Sequence, residues 1–137
     1  MARPPEDSAG FDPARLTRVD TIEEIRLLDP SIDSLFVSGL TNEKLAAIAA
    51  TIPGLRHLTT DGDNRVTDLG LSSLSTFTSL ESIDLEWSNV TDDGLDVIAA
   101  IRTLRWVDVG FCSALKESRV AWLRQQRPDL EVVFAHV

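Results

Sequence analysis

The chain has 137 residues, of which 43% are apolar and 26% charged, and this composition predicts one globular domain with a continuous core. A net charge of −9 argues against a sequence-independent nucleic-acid binder, and the longest apolar run, residues 45–50, is too short to cross a bilayer. One cysteine excludes an internal disulfide and, with no apolar leader in the first ten residues, predicts a cytoplasmic protein with no membrane partner.

The first part of the chain is predicted to lie outside the main fold. Residues 1–12 contain prolines and charged side chains, so we expect them to be disordered. Residues 13–31 are predicted to form a partial unit that begins the fold, with a helix over residues 20–28 that Asp20 caps. Ile22 and Ile25 give that helix an apolar face.

From residue 32 onwards the chain repeats one pattern of about 24 residues. The stretch VTDDGLDVIAA at residues 90–100 is a copy of VTDLGLSSLST at residues 66–76. Each unit begins with apolar residues at its first, fourth and sixth positions, as in LESIDL from Leu80 and LRWVDV from Leu104. This spacing predicts units of strand, turn and helix, which bury their apolar faces by packing on one another.

The phase of that pattern gives the boundaries of the elements. Parallel strands are predicted in chain order, with centres near Leu35, Leu58, Ile83, Val107 and Val133. Helices are predicted over residues 42–50, 68–75, 92–100 and 118–126, and three of them start after a threonine that can cap, namely Thr41, Thr67 and Thr91. Gly70 and Gly94 indicate close packing at two helix starts, because glycine weakens a helix by about 1 kcal/mol.

The strand pattern, the helix entry V-T-D-x-G-L-x-x-L and the spacing together resemble leucine-rich repeat proteins, in particular the cysteine-containing subtype of F-box-type receptors and bacterial repeat proteins. The resemblance covers about residues 20–134. It implies an α/β solenoid of about four to five repeats over residues 32–137, with a parallel sheet on the concave face, helices on the convex face and a terminal strand. No F-box is visible upstream, so a ubiquitin-ligase role is not implied.

In that family the ninth position of a unit is usually Asn or Cys, and its side chain ties the turns together. Cys112 fits this position, while Asp63 and Ser88 are polar substitutes. Leu40 at the same position indicates a shortened turn in the first complete unit.

The resemblance also implies which side chains face the concave solvent surface, namely those at strand positions three, five and seven. Candidate partner-binding residues on that surface and its rim are Phe36, His57, Asp61, Asp84, Glu86, Trp87, Trp106, Asp108 and Phe111. Trp106 is expected to be exposed. Trp87 and Phe111, at position eight, either bind a partner or fold over the turns and cover the ends of the core.

Catalytic chemistry has little support in the sequence. His57 and His136 lie in distant units, and Cys112 occupies a core position where a thiol is inert. Asp84 and Asp108, about 5 Å apart on adjacent strands, could raise a pKa or hold a cation, although a solvated acidic surface is the favoured interpretation. We therefore expect no enzyme activity, no cofactor and no metal.

The functional hypothesis is a protein–protein interaction module. Four carboxylates, at Asp61, Asp84, Glu86 and Asp108, beside aromatic side chains predict a protein partner with a basic surface. The alternative is an assembly or inhibitor subunit that associates, with itself or another chain, through the edge of the terminal strand. An enzyme or cation site that uses Asp84 and Asp108 is the third hypothesis.

Overall fold

The structure, a computed structural model, describes residues 16–135. Its strands are β1 (Thr17–Val19), β2 (Ser34–Val37), β3 (His57–Thr60), β4 (Ser82–Asp84), β5 (Trp106–Asp108) and β6 (Glu131–Val133). Its α-helices are α1 (Ile22–Arg26), α2 (Asn42–Thr51), α3 (Asp68–Leu71), α4 (Asp92–Ala100) and α5 (Glu117–Gln126). The disorder predicted for residues 1–12 and the histidine at position 136 lie outside the described residues.

The six strands form one parallel sheet whose spatial order is the order of the chain, β1-β2-β3-β4-β5-β6. Each connection returns the chain to the same end of the sheet. Equivalent apolar residues pair in register across five strands, at Leu35, Leu58, Ile83, Val107 and Val132. The predicted parallel pairing is therefore confirmed, and the centre of β6 lies one residue before the predicted Val133.

One strand was not predicted. β1 pairs with β2 through Thr17 and Leu35 and through Val19 and Val37. It has three residues, of which only Val19 is buried, so its apolar signal is too weak to show the pattern of the later strands.

The core lies between the sheet and the helices, and each helix contacts the next along the chain. The apolar pairs of the four later helical segments are buried, at Leu45 and Ile48, Leu71 and Leu74, Leu95 and Ile98, and Val120 and Leu123, whereas Ile22 of the first pair is half-buried. Removing each such side chain from water contributes about 1.5–3 kcal/mol. A single unit cannot cover its own apolar side chains on both sides, so this burial requires the neighbouring units.

The helices match the predicted ranges with two differences. α1 is shorter than predicted, and α3 ends at Leu71 and continues as a 3₁₀ turn over Ser72–Thr76. In that turn the hydroxyls of Ser72 and Ser75 donate hydrogen bonds to the carbonyls three residues earlier. Serine hydroxyls compete in this way with regular helical hydrogen bonding, which explains the early end of α3.

The N-terminus of α1 is capped by Thr21, so the prediction of Asp20 is wrong. The Thr21 hydroxyl accepts from the Glu24 backbone N–H, and the Glu24 carboxylate accepts from the Thr21 backbone N–H, which is a reciprocal capping box. Thr41 caps α2 as predicted, through the Lys44 backbone N–H. Thr67 and Thr91 stand at the N-cap positions of α3 and α4 but form no side-chain cap hydrogen bond.

Those two threonines are bound instead by the preceding unit, in what we call the entry ladder. Asn42 accepts from the Thr67 backbone N–H at 3.0 Å and donates to the Thr67 hydroxyl at 2.8 Å. Asp68 accepts from the Thr91 backbone N–H at 2.8 Å and from the Thr91 hydroxyl. Asp92 continues the series by accepting from the Lys116 backbone N–H.

The entry ladder explains the glycines at the starts of α3 and α4. A Cβ at Gly70 would overlap Asn42 Oδ1 and lie 2.7 Å from Asn42 Cγ. A Cβ at Gly94 would lie 2.5 Å from Asp68 Oδ1 and 2.9 Å from Leu71 Cδ1. The predicted close packing is therefore confirmed, and its partner is the first helical residue of the preceding unit.

A second series of buried residues connects the turns at positions 40, 64, 88 and 112, a constant step of 24 residues. The Asn64 side chain donates to the Asp84 carbonyl and accepts from the Val66 N–H. The prediction that Asp63 ties the turns together is wrong by one residue, because Asp63 is exposed and forms an ion pair with Arg65. The shortened first turn is confirmed, since α2 begins two residues after Leu40 whereas α3 begins four residues after Asn64.

Candidate functional site

The predicted exposure of the sheet face opposite the apolar core is wrong for most of its residues. Asp84 is 1% exposed, Asp108 0% and Trp106 4%, and His57 is also buried. Alternation along a strand predicts which face a side chain occupies, but it does not predict whether that face is open to solvent. Polar groups on this face bond to one another, as in the 2.7 Å hydrogen bond between His57 Nδ1 and Ser82 Oγ.

Phe36 and Asp61 lie apart from the other candidates. The Phe36 ring is half-buried beneath the guanidinium of Arg18 on β1, 4.9 Å from the ring centre. Burial opposes the ionisation of Asp61, but hydrogen bonds from Gly39 and Ser38 outweigh it and hold the pKa of Asp61 below its ordinary value. Asp61 therefore binds the preceding turn and is not part of a four-carboxylate cluster.

The other three carboxylates form a group that we call the carboxylate triad, namely Asp84, Glu86 and Asp108. Asp84 and Asp108 pair in register on β4 and β5, as predicted. One oxygen from each of the three carboxylates lies within 4.8 Å of the others. Asp84 Oδ1 accepts from the Glu86 N–H at 3.0 Å, and Asp108 Oδ1 accepts from the Gly110 N–H at 2.7 Å. The two strand ends therefore fix both aspartates in matching orientations.

Burial makes both aspartates weaker acids. Loss of solvent raises the pKa of Asp84 to about 8, with a further contribution from the nearby Asp108, against the opposing hydrogen bond from Glu86. Loss of solvent also raises the pKa of Asp108 to about 6, and Glu86 adds to the rise. At neutral pH the triad therefore binds a proton more readily than ordinary carboxylates do.

Trp87 and Phe111, which we call the aromatic rim, lie where β4 and β5 enter their turns. Their rings stack with centroids 4.4 Å apart and planes 9° from parallel. Both residues have left-handed backbones, with φ of 68° at Trp87 and 55° at Phe111. Trp87 is 48% exposed. Phe111 is half-buried, so neither ring is fully enclosed by the core.

The aromatic rim forms one side of a pocket of about 400 Å³. Leu115 and Phe134 supply apolar surface, and Glu117 supplies a carboxylate. Sequence reasoning did not assign these three residues to the site. They come from the turn before α5, from α5 itself and from the segment after β6, and no local pattern in the sequence joins them.

Cys112 lies at the base of this pocket with its side chain buried, as predicted. Its thiol donates to the Leu85 carbonyl at 3.1 Å and lies 3.3 Å from the Ser88 hydroxyl. Loss of solvent raises the pKa of the Cys112 thiol, and the Ser88 hydrogen bond only partly opposes this. The thiol is therefore not activated as a nucleophile.

None of the helices in the described part of the chain has the length and apolar character that a bilayer crossing requires. Comparisons with protein-family models and with curated proteins found no match to this chain.

Proposed function

We propose that the chain is a leucine-rich repeat solenoid that binds a protein partner at its aromatic rim and catalyses no reaction. The regular repeat supports this proposal, because strands, helix entries and turn residues all recur at intervals of about 24 residues. The in-register parallel sheet and the entry ladder are consistent with stacked units.

The observation that carries the binding proposal is the left-handed backbone at Trp87 and Phe111. In the first complete turn the residue with this conformation is Gly39, with φ of 62°. A side chain in this conformation costs about 1–2 kcal/mol relative to glycine. Two bulky aromatic residues therefore occupy positions whose backbone conformation glycine adopts at lower cost. Strain of this kind concentrates at functional sites, and exposed aromatic side chains dominate the binding energy of protein interfaces.

The chemistry around the aromatic rim indicates the kind of partner. The stacked rings and Phe134 can contact an apolar side chain, while Glu86 precedes Trp87 in the chain and Glu117 lines the pocket. A protein segment with a Lys or Arg beside an apolar anchor would complement both features. The proposed contact surface is therefore the aromatic rim and not the buried face of the sheet.

The test is co-purification of partners from cells with the wild-type protein and the variant Trp87→Gly. Glycine relieves about 1 kcal/mol of backbone strain, which offsets part of the 0.5–1.5 kcal/mol lost from the ring stack. The variant should therefore remain folded, and thermal unfolding checks this. We expect it to lose the partner that the wild-type protein retains.

The matched control is Leu69→Ala on α3, because Leu69 is 79% exposed and also a large apolar side chain. It should retain the partner in full. Equal retention by both variants would contradict the role of the aromatic rim. If the partner is instead lost on a change to Val132 alone, the terminal-strand alternative gains support, since Val132 lies in β6, the last strand of the described sheet.

A further inference from the structure

The carboxylate triad contains a buried oxygen that the protein does not satisfy. Asp108 is 0% exposed, and its Oδ2 atom has no hydrogen-bond partner among residues 16–135. Its other oxygen, Oδ1, is held by the Gly110 N–H. A buried carboxylate oxygen without a donor loses its hydration and gains nothing in return, so a missing ligand is a direct explanation.

A second observation concerns the charges beside the two buried aspartates of the triad. Within residues 16–135, no lysine or arginine forms an ion pair with Asp84 or Asp108. A buried carboxylate normally pairs with a cation or coordinates a metal ion, because burial without compensation is strongly unfavourable. The unsatisfied Asp108 oxygen can therefore be compensated by a proton or by a bound cation.

The backbone of Gly110 lies close to two of the carboxylates and carries no side chain. A Cβ at Gly110 would lie 3.0 Å from Asp108 Oδ1 and 3.5 Å from Glu86 Oε2. Glu86 is half-buried, so one carboxylate of the triad is partly exposed to solvent. A side chain at position 110 would press against the carboxylates and against the Ala135 backbone nitrogen, 3.3 Å from a Cβ there.

The coordination preferences of the two common divalent cations indicate which of them the triad favours. Two oxygens on one ion can be separated by at most twice the metal–oxygen distance, which gives about 4.6–5.2 Å for Ca²⁺ and about 4.0–4.2 Å for Mg²⁺. The three carboxylate oxygens lie within 4.8 Å of one another. Ca²⁺ also accepts irregular geometry and completes its shell with carbonyl oxygens and water, whereas Mg²⁺ requires a near-ideal octahedron.

We propose that Asp84, Glu86 and Asp108 form a calcium-binding site in which Asp108 Oδ2 is a direct ligand. The proposal shares Glu86 with the proposed partner-binding surface, but it depends on the buried Asp84 and Asp108 and not on the two rings of the aromatic rim. The bound ion would join the ends of β4 and β5 and thereby stabilise the two turns that follow them.

The test is isothermal titration calorimetry, in which CaCl₂ is added to the chelator-treated protein. Thermal unfolding is measured with and without the ion. We expect one calcium ion per chain and a rise in the unfolding temperature. Asp108→Asn should abolish both, and Glu86→Gln should weaken binding by about tenfold or more, because ligand charge sets the affinity of calcium sites. Asp63→Asn removes the same charge at an exposed position and should bind like the wild-type protein.

Absence of calcium binding to the wild-type protein, or full binding by Asp108→Asn, would overturn the proposal. Equal affinity for MgCl₂ would overturn the assignment of the ion. If Asp108→Asn does not fold, calcium binding by Glu86→Gln decides the question. That variant should fold, since Glu86 is only half-buried. Partner binding measured on Trp87→Gly is a separate experiment, so failure here leaves the proposed function standing.

Discussion

The entry ladder predicts that the cost of Gly70→Ala depends on a residue in the preceding unit. The new Cβ would overlap Asn42 Oδ1, so the Asn42 side chain must leave its position. Both of its hydrogen bonds with Thr67 would then be lost. Without Asn42 the same methyl group would lose its main obstacle, and alanine would be the better helix former.

The expected magnitudes follow from the bonds that change. Two hydrogen bonds contribute about 1 kcal/mol each, and the Thr67 N–H left without its acceptor costs about 1 kcal/mol more. Alanine recovers about 1 kcal/mol over glycine in a helix, which leaves Gly70→Ala destabilised by about 2 kcal/mol. Asn42→Ala should lose about 2–3 kcal/mol through the same bonds. The double variant should be no less stable than Asn42→Ala alone, which gives a coupling of about 2 kcal/mol.

Urea unfolding of the four proteins measures this coupling. Gly54→Ala is the control, because a Cβ there meets no atom within 4 Å and should change stability by less than about 0.5 kcal/mol. If Gly70→Ala costs the same with and without the Asn42 side chain, the reasoning is refuted, and the glycine must be required by the conformation of its own helix.

Two further predictions concern the buried groups. The pKa values of Asp84 and Asp108 are raised in the folded state, so their stabilising contribution is complete below about pH 4 and is lost as pH rises through about 6 and about 8. In chelator-containing buffer the unfolding temperature should therefore fall between pH 5.5 and 8.5, and Asp84→Asn should flatten this dependence; an unchanged slope would contradict the assignment. Cys112 should react slowly with a thiol reagent in the native protein, and Cys112→Ser should lose about 1–3 kcal/mol in urea unfolding, whereas rapid labelling would contradict its burial.

The sequence was sufficient for the sheet because its signal is local. Leu35, Leu58, Ile83 and Val107 each lie in an apolar pattern that repeats, and equal spacing between units brings equivalent positions into register. β1 lacks that pattern, and its existence depends on pairing with β2. Local patterning therefore predicts elements well only where every unit carries its own apolar residues.

The candidate site was predicted less well because its properties are not local. The adjacency of Asp84 and Asp108 followed from register, but their burial depends on what surrounds the whole sheet face. The pocket combines Trp87, Leu115 and Phe134 from three separate segments. The hydrogen bond from Asn64 to the Asp84 carbonyl depends on the three-dimensional path of a turn. Aligning the units by sequence placed Asp63, one residue earlier, at that position.

The proposed role of the aromatic rim is tested most directly by site-specific photocrosslinking in cells. A photoreactive benzophenone amino acid replaces Phe111 in one protein and Leu69 in the other, so that the probe lies at the rim or on the exposed surface of α3. We predict a covalent adduct with a distinct partner from position 111 and none from position 69. An adduct from position 69 with none from position 111 would contradict the proposed binding surface.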